Sequence, residues 1–131
     1  MEKTIKISAT FNTSLKTIYE AWLDSEKHSA FTGGKAKINP KVGGKFKVWD
    51  GYISGRNLEL EPYKRIVQSW RTTEFPDDAP DSLLEIFFSK NPRGTMLTLI
   101  HSKIPDGQSD NYKNGWKEFY FKPMKKYFLK K

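Results

Sequence analysis

The chain contains no cysteine, so disulfides and thiolate chemistry are excluded, a composition that suits a reducing cytoplasm. No apolar stretch approaches the roughly 18 residues that mark a membrane-crossing helix. The start, Met1-Glu2-Lys3-Thr4-Ile5, lacks the apolar core of a signal peptide, so the expected location is cytoplasmic. Histidine is scarce. His28 and His101 lie far apart with no adjacent carboxylate pattern, so neither a metal site nor a cofactor is predicted. There is no HExxH, no P-loop, no dinucleotide fingerprint and no nucleophile elbow. Gly43-Gly44 precedes a strand-like run rather than a helix. It therefore cannot cradle phosphate on a helix N-terminus, and its ordinary role is to permit positive φ in a turn. A catalytic constellation is missing, and a non-enzymatic protein is expected.

What is present is charge and aromatic surface. The 131 residues suffice for one domain, residues 1–131, with a substantial core. Aromatic residues make up 15%, and the net charge is +8. That charge favours an acidic protein face, nucleic acid or anionic lipid. Nineteen of the 23 basic residues are lysine. Nucleic-acid sites lean on the bidentate fork of arginine, so an acidic protein is the better match.

From Ser109 onward, Tyr112, Trp116, Phe119, Tyr120, Pro123, Met124 and Tyr127 fall on one side of a 3.6-residue helix, with lysines largely elsewhere. Pro123 breaks the pattern. Inside a regular helix it costs about 3 kcal/mol, so a kink is expected near Phe119 to Pro123. Six strand-like runs alternating with turn signals precede this segment, beyond a first strand over residues 3–11. Ser14 caps a short helix that buries Leu15, Ile18, Tyr19 and Trp22, and Asp24 or Ser25 caps a second, ended by Gly33-Gly34. Gly55 is expected at a bend or bulge. The predicted fold is α+β: a curved antiparallel sheet of six to seven strands around a long C-terminal helix, with two short helices after the first strand. The helix spans roughly 30 Å at 1.5 Å per residue, enough to lie along the concave face.

Period-2 alternation assigns the faces. Phe46 and Val48 oppose Lys45 and Lys47. Gln68 and Trp70 share a side, as do Ile86 and Phe88, and Leu97, Leu99 and His101. If these sets face the helix, they line one interior with Trp116, Phe119, Tyr120 and Met124. Plain core packing gives the same pattern. A buried Gln68 would need a hydrogen-bond partner, and His101 is placed inward. His28, beside Lys27 on a short helix, is expected to be exposed. Lys35, Lys37, Lys41, Lys45 and Lys47 form a cluster with no acidic residue, able to make one positive outer patch on a hairpin.

Ordered pieces then resemble a known family. Ala30-Phe31-Thr32-Gly33, Gly43-Gly44-Lys45-Phe46, Asp50-Gly51, Ser54-Gly55, Pro62, Ile66-Val67 and Trp70-Arg71 are similar to the C-terminal domain of the activator of heat-shock protein 90 ATPase. Ile104-Pro105, Gly115-Trp116, Tyr120-Phe121, Lys125 and Phe128 continue the likeness to about residue 130. The resemblance implies the START-like helix-grip superfamily, a co-chaperone module that contacts its chaperone, and no enzymatic activity. The larger N-terminal domain of the full activator is outside this chain.

Two roles follow. One is docking on an acidic surface of a heat-shock protein 90-type chaperone through the lysine hairpin. The other is binding an apolar small molecule between sheet and helix, which requires a void of roughly 300 Å³ or more. Hydrolytic or cyclase-like activity occurs in the superfamily, but no constellation here supports it.

Overall fold

The computed structural model describes residues 3–129. Strand β1 (Lys3–Phe11) leads into helices α1 (Leu15–Leu23) and α2 (Ser25–Thr32). A meander follows: β2 (Lys37–Ile38), β3 (Lys45–Val48), β4 (Ile53–Glu61), β5 (Arg65–Thr72), β6 (Ser82–Asn91) and β7 (Gly94–Ile104). A short 3₁₀ turn, Trp49–Gly51, joins β3 to β4. Every strand pair is antiparallel, and the order β1-β7-β6-β5-β4-β3-β2 makes one seven-stranded sheet. The sheet curves around the C-terminal helix, as expected for a helix grip.

Alternation decides which side of each strand meets the helices. In β3, Phe46 and Val48 are buried while Lys45 and Lys47 are exposed. In β6, Leu84, Ile86 and Phe88 turn inward. Ile66, Leu84, Ile86, Leu97, Leu99, Met124 and Phe128 have no measurable exposure and form the centre of the core. Ser14 caps α1 by accepting from the Thr17 N–H at 3.1 Å. Asp24 caps α2 in the same way through Glu26, and Gly33 ends it with a left-handed φ of +85°.

The edge strand β2 is protected by α2. The Ser25 hydroxyl accepts from the Ile38 N–H at 2.8 Å, and Ser29 accepts from the Ala36 N–H at 2.8 Å. Groups that would otherwise invite another strand are thereby occupied.

The C-terminal helix runs through α3 (Ser109–Gly115), a π-helical turn (Trp116–Phe121) and α4 (Lys122–Leu129). The irregularity expected at Pro123 takes the form of this wide turn. Proline has no N–H to give the carbonyl four residues back. The bond just before it instead spans five residues, from the Lys122 N–H to the Lys117 oxygen. The longer step brings Tyr120 back over Trp116, ring centroids 4.8 Å apart, and sets Phe121 against Phe11 at 5.7 Å. Tyr120 and Phe121 are therefore buried, and Phe119 is 58% exposed. The inward position expected for Phe119 is corrected by this one-residue shift.

Gly55 is not at the bulge, which falls between Asn57 and Glu59. Its reason is proximity: a Cβ there would lie 1.9 Å from the Ser69 carbonyl oxygen and 2.8 Å from the Phe46 ring. Gly55→Ala is expected to cost about 2 to 3 kcal/mol by overpacking. Urea unfolding checks it; a loss under about 0.5 kcal/mol would mean the strands simply separate to accommodate the methyl.

Candidate functional site

The outer face of β2, β3 and β4 carries unusual charge. Lys37 stands directly opposite Lys47, and Lys45 opposite Arg56. All four are exposed, as are Lys35 and Lys41 beside them. Ion pairs among the described residues sit elsewhere, as in Arg65 with Glu59, Glu61 and Glu85, Arg71 with Asp81, and Lys122 with Glu118. Like charges facing each other across strands destabilise a sheet by a few tenths to about 1 kcal/mol per pair. The cost is borne on a face with no packing need for lysine.

A buried amide chain fixes the loop beside that face. Asn57, fully buried, donates to the Asn39 and Lys41 carbonyls at 2.9 and 3.1 Å. Its backbone also exchanges bonds with Gly43 and Gly44. Gln68 donates to the Asn57 Oδ1 at 2.9 Å, and the Trp22 indole N–H points at the Gln68 oxygen from 3.5 Å. Gln68 is thus the buried, partnered amide that its inward register implied. Asn57 escaped notice because it sits in the polar run Arg56-Asn57. The available signal was Gln68 itself, which needed an acceptor.

Both histidines are interior. His28 donates through Nδ1 to the Trp22 carbonyl at 2.8 Å and accepts at Nε2 from the Tyr120 hydroxyl at 2.9 Å. Burial, opposed in part by the Trp22 bond, lowers its pKa to about 4. The expected exposure of His28 is wrong because α2 turns His28, Phe31 and Thr32 inward together. In the second cluster, the Trp116 indole donates to the His101 Nδ1 at 3.2 Å. The His101 Nε2 then donates to Ser82 at 2.8 Å, and Ser82 donates to the Trp70 carbonyl at 2.6 Å. Burial lowers the His101 pKa to about 3. The His101 bonds tie the C-terminal helix to the sheet and the His28 bonds tie α2 to that helix, while burial keeps both rings neutral. Burial also pushes the Tyr120 phenol well above its ordinary pKa.

The centre of the space between sheet and helix is filled. Around Trp22, His28, Phe46, Val48 and Gln68 the residual void is about 10 Å³, at most one water. A larger pocket of about 370 Å³ opens at one end. Its walls are Trp49, Tyr52, Ile53, Trp70, Asn111, Tyr112, Gly115, Trp116, Phe119 and Tyr120. Trp49 and Asp50 have left-handed φ of 52° and 58°. For a bulky residue this costs about 1 to 3 kcal/mol and persists only where surroundings enforce it. Here the Asp50 N–H is held by the Lys35 carbonyl at 3.0 Å, and the Trp49 ring lies where a Cβ on Gly34 would sit 2.6 Å away. At the polar end, the Tyr112 hydroxyl bonds Thr72 at 2.7 Å and Gln108 at 2.5 Å, while Tyr52 donates to the Glu74 carboxylate. Burial first, then that carboxylate, pushes the Tyr52 phenol up to about 12.

The sequence pattern of the Activator of Hsp90 ATPase homolog 1-like protein family matches residues 12–129. The chain belongs to this family. Among its relatives, the human Activator of 90 kDa heat shock protein ATPase homolog 1 is 32% identical over 124 residues, covering 95% of this chain and 36% of that protein. The Hsp90 co-chaperone AHA1 of Saccharomyces cerevisiae is 27% identical over 128 residues, covering 92% of this chain and 36% of that protein. The crystal structure of an HSP90 activator from Plasmodium falciparum matches with a TM-score of 0.80 at 25% identity, over 93% of this chain and 91% of that one. The chain therefore spans about a third of the length of these two curated relatives.

Within this family member, the residues singled out from sequence separate into three places. Lys35, Lys37, Lys41, Lys45 and Lys47 are all exposed on or beside the β2–β3 hairpin. Trp70, Trp116, Phe119 and Tyr120 line the end pocket, joined by Tyr112, which helical periodicity marks, and by Trp49, Tyr52, Ile53, Asn111 and Gly115, which no site reading singles out. Phe46, Val48, Ile86, Phe88, Leu97, Leu99 and Met124 are packed core, and Gln68 and His101 are satisfied inside it. Among the described residues, no group of histidines and carboxylates could hold a metal ion, and no helix is long and apolar enough to cross a membrane.

Proposed function

We propose that residues 1–131 act as one non-catalytic, co-chaperone-like docking domain for a heat-shock protein 90-type chaperone. The contact is the outer face of β2, β3 and β4, and the encounter takes place in the cytoplasm. The observation that carries this is the register that sets Lys37 against Lys47 and Lys45 against Arg56 with no acid between them. Such a face repels itself until an acidic surface covers it. The names of the relatives, activators and a co-chaperone of Hsp90, supply the partner. The non-catalytic part is supported by His28 and His101, whose ring nitrogens are all engaged within the protein. Docking, rather than the whole of ATPase stimulation, is what a segment covering 36% of those relatives is proposed to supply.

The test is titration calorimetry of the chain with a heat-shock protein 90-type chaperone at low and physiological salt. Replacing Lys35, Lys37, Lys45 and Lys47 with glutamate is expected to weaken association by about tenfold or more. Added salt should weaken the native pair and not the variant, because exposed charges are screened over about 10 Å at 0.1 M. Undiminished binding of the variant at low salt would remove this face as the interface.

A further inference from the structure

We propose a second site, separate from the lysine face and from the space under the C-terminal helix: the pocket between the β6–β7 hairpin and the start of α1 binds a small phosphate monoester carried on an aromatic ring. The pocket holds about 630 Å³, within the range of small-molecule sites. Lys16, Lys90 and Arg93 line it, and no carboxylate does. All three cations are exposed, and among the described residues none of them has an ion pair. Lys16 stands in the first turn of α1, where the helix dipole disfavours a cation. A phosphate monoester carries about −1.5 to −2 charges at pH 7, enough to offset this convergence. Cations gathered in one concavity, rather than strung along a track, suit a single phosphate and not a polynucleotide backbone.

The walls are held in shape. The hairpin tip is pressed onto the turn after β1. Gly94, at φ +135°, leaves no room for a side chain: a Cβ would lie 2.1 Å from the Phe11 carbonyl oxygen. The Thr95 hydroxyl donates to the Thr13 carbonyl at 2.9 Å, and the Asn91 Oδ1 accepts from the Arg93 N–H at 2.9 Å. Lys90 and Arg93 are thus carried on a fixed frame beside Lys16. The aromatic wall is Tyr63. It takes the third position of a turn closed by the Lys64 N–H on the Glu61 oxygen at 3.0 Å, and its φ is +65°. Glycine or asparagine is usual at such a position. Tyr19 meets the Tyr63 ring edge-on at 5.5 Å and sets its direction, yet Tyr63 stays 37% exposed. With Leu15 and Pro92 it gives the pocket an apolar side next to the cations. A ring seats there while its phosphate meets Lys16, Lys90 and Arg93. The helix end adds nothing to this, since Ser14 already accepts from the Thr17 N–H.

The probe is phenyl phosphate, titrated into the full chain at low salt by calorimetry and amide NMR, with phenol and inorganic phosphate as references. One-site binding is expected, at least tenfold tighter than either reference, with shifts at residues 12–16 and 90–94. Lys16→Gln combined with Arg93→Gln should lower the affinity at least tenfold without lowering the melting temperature, because both side chains are exposed. Tyr63→Asn keeps a residue that tolerates the left-handed backbone. It should weaken phenyl phosphate and leave inorganic phosphate unchanged. No saturable binding, or unchanged affinity in the double variant, would overturn the site. Inorganic phosphate binding as tightly as phenyl phosphate would overturn the aromatic assignment. A phosphotyrosine peptide binding tenfold tighter than phenyl phosphate would overturn the small-molecule assignment and give the pocket to a phosphorylated protein segment. Charge reversal at Lys35, Lys37, Lys45 and Lys47 should leave phenyl phosphate binding unchanged. A parallel loss would reduce the binding to a general effect of the +8 net charge and overturn the site.

Discussion

Lowering the pH from 7 to 4.5 is expected to remove about 5 kcal/mol of folding stability through His28 and His101 alone. Both rings are buried, and desolvation holds their folded pKa values at about 4 and about 3, below the ordinary 6.5. A depressed histidine pKa means that the unfolded chain takes up protons first. The stabilisation is complete above pH 6.5 and is lost as the pH falls from 6.5 toward 4. Between those limits each ring contributes a slope near 1.4 kcal/mol per pH unit. The combined loss is comparable with the whole stability of an ordinary domain. Protonation would also break specific bonds: the His28 Nε2 could no longer accept from Tyr120, nor the His101 Nδ1 from Trp116. Urea midpoints measured from pH 7 to 4.5 check this. A flat profile down to pH 5 would show that water reaches both rings.

Phe128→Ala is expected to cost about 3 to 5 kcal/mol, whereas Phe119→Ala should change stability by under about 0.5 kcal/mol. Phe128 has no measurable exposure and packs edge-on to Phe11 at 6.3 Å, joining the last helical turn to β1. Phe119 lies nine residues earlier on the same helix, yet is 58% exposed. The contrast depends on the π-helical turn. Were the helix regular, Phe119 would share the inward side with Trp116, and its truncation would open a cavity. Denaturant unfolding of the two variants decides the point, and equal costs would contradict the wide turn.

The fold was open to sequence reasoning because its signals are local and periodic. Lys45-Phe46-Lys47-Val48 alternates, Ser14 and Asp24 occupy cap positions, and Gly33 terminates α2. The lysine face followed from the same alternation. What stayed hidden depends on events between elements. The missing N–H of Pro123 was visible, but its resolution as a wide turn, rather than a sharp kink, depends on which side chains the sheet can receive. His28 is buried because α2 packs against the C-terminal helix, bringing its ring to Tyr120 across 92 positions of sequence. Lys27 beside it says nothing of that. Asn57 acquires its role only when the loop from Asn39 to Gly44 folds back on β4. The pocket formed away from the sheet's centre because Ile86, Leu97, Leu99 and Met124 fill that centre completely. Its rim is the turn at Trp49 and Asp50, whose backbone no periodicity reports.

The most direct measurement is a backbone amide NMR titration of the labelled chain with a heat-shock protein 90-type chaperone. The expected result is a set of perturbed or broadened amides confined to Lys35–Lys47 and Ser54–Arg56, weakening as salt is added. Perturbations that bypass these strands, or an unchanged spectrum at low salt with chaperone in excess, would contradict docking through the lysine face.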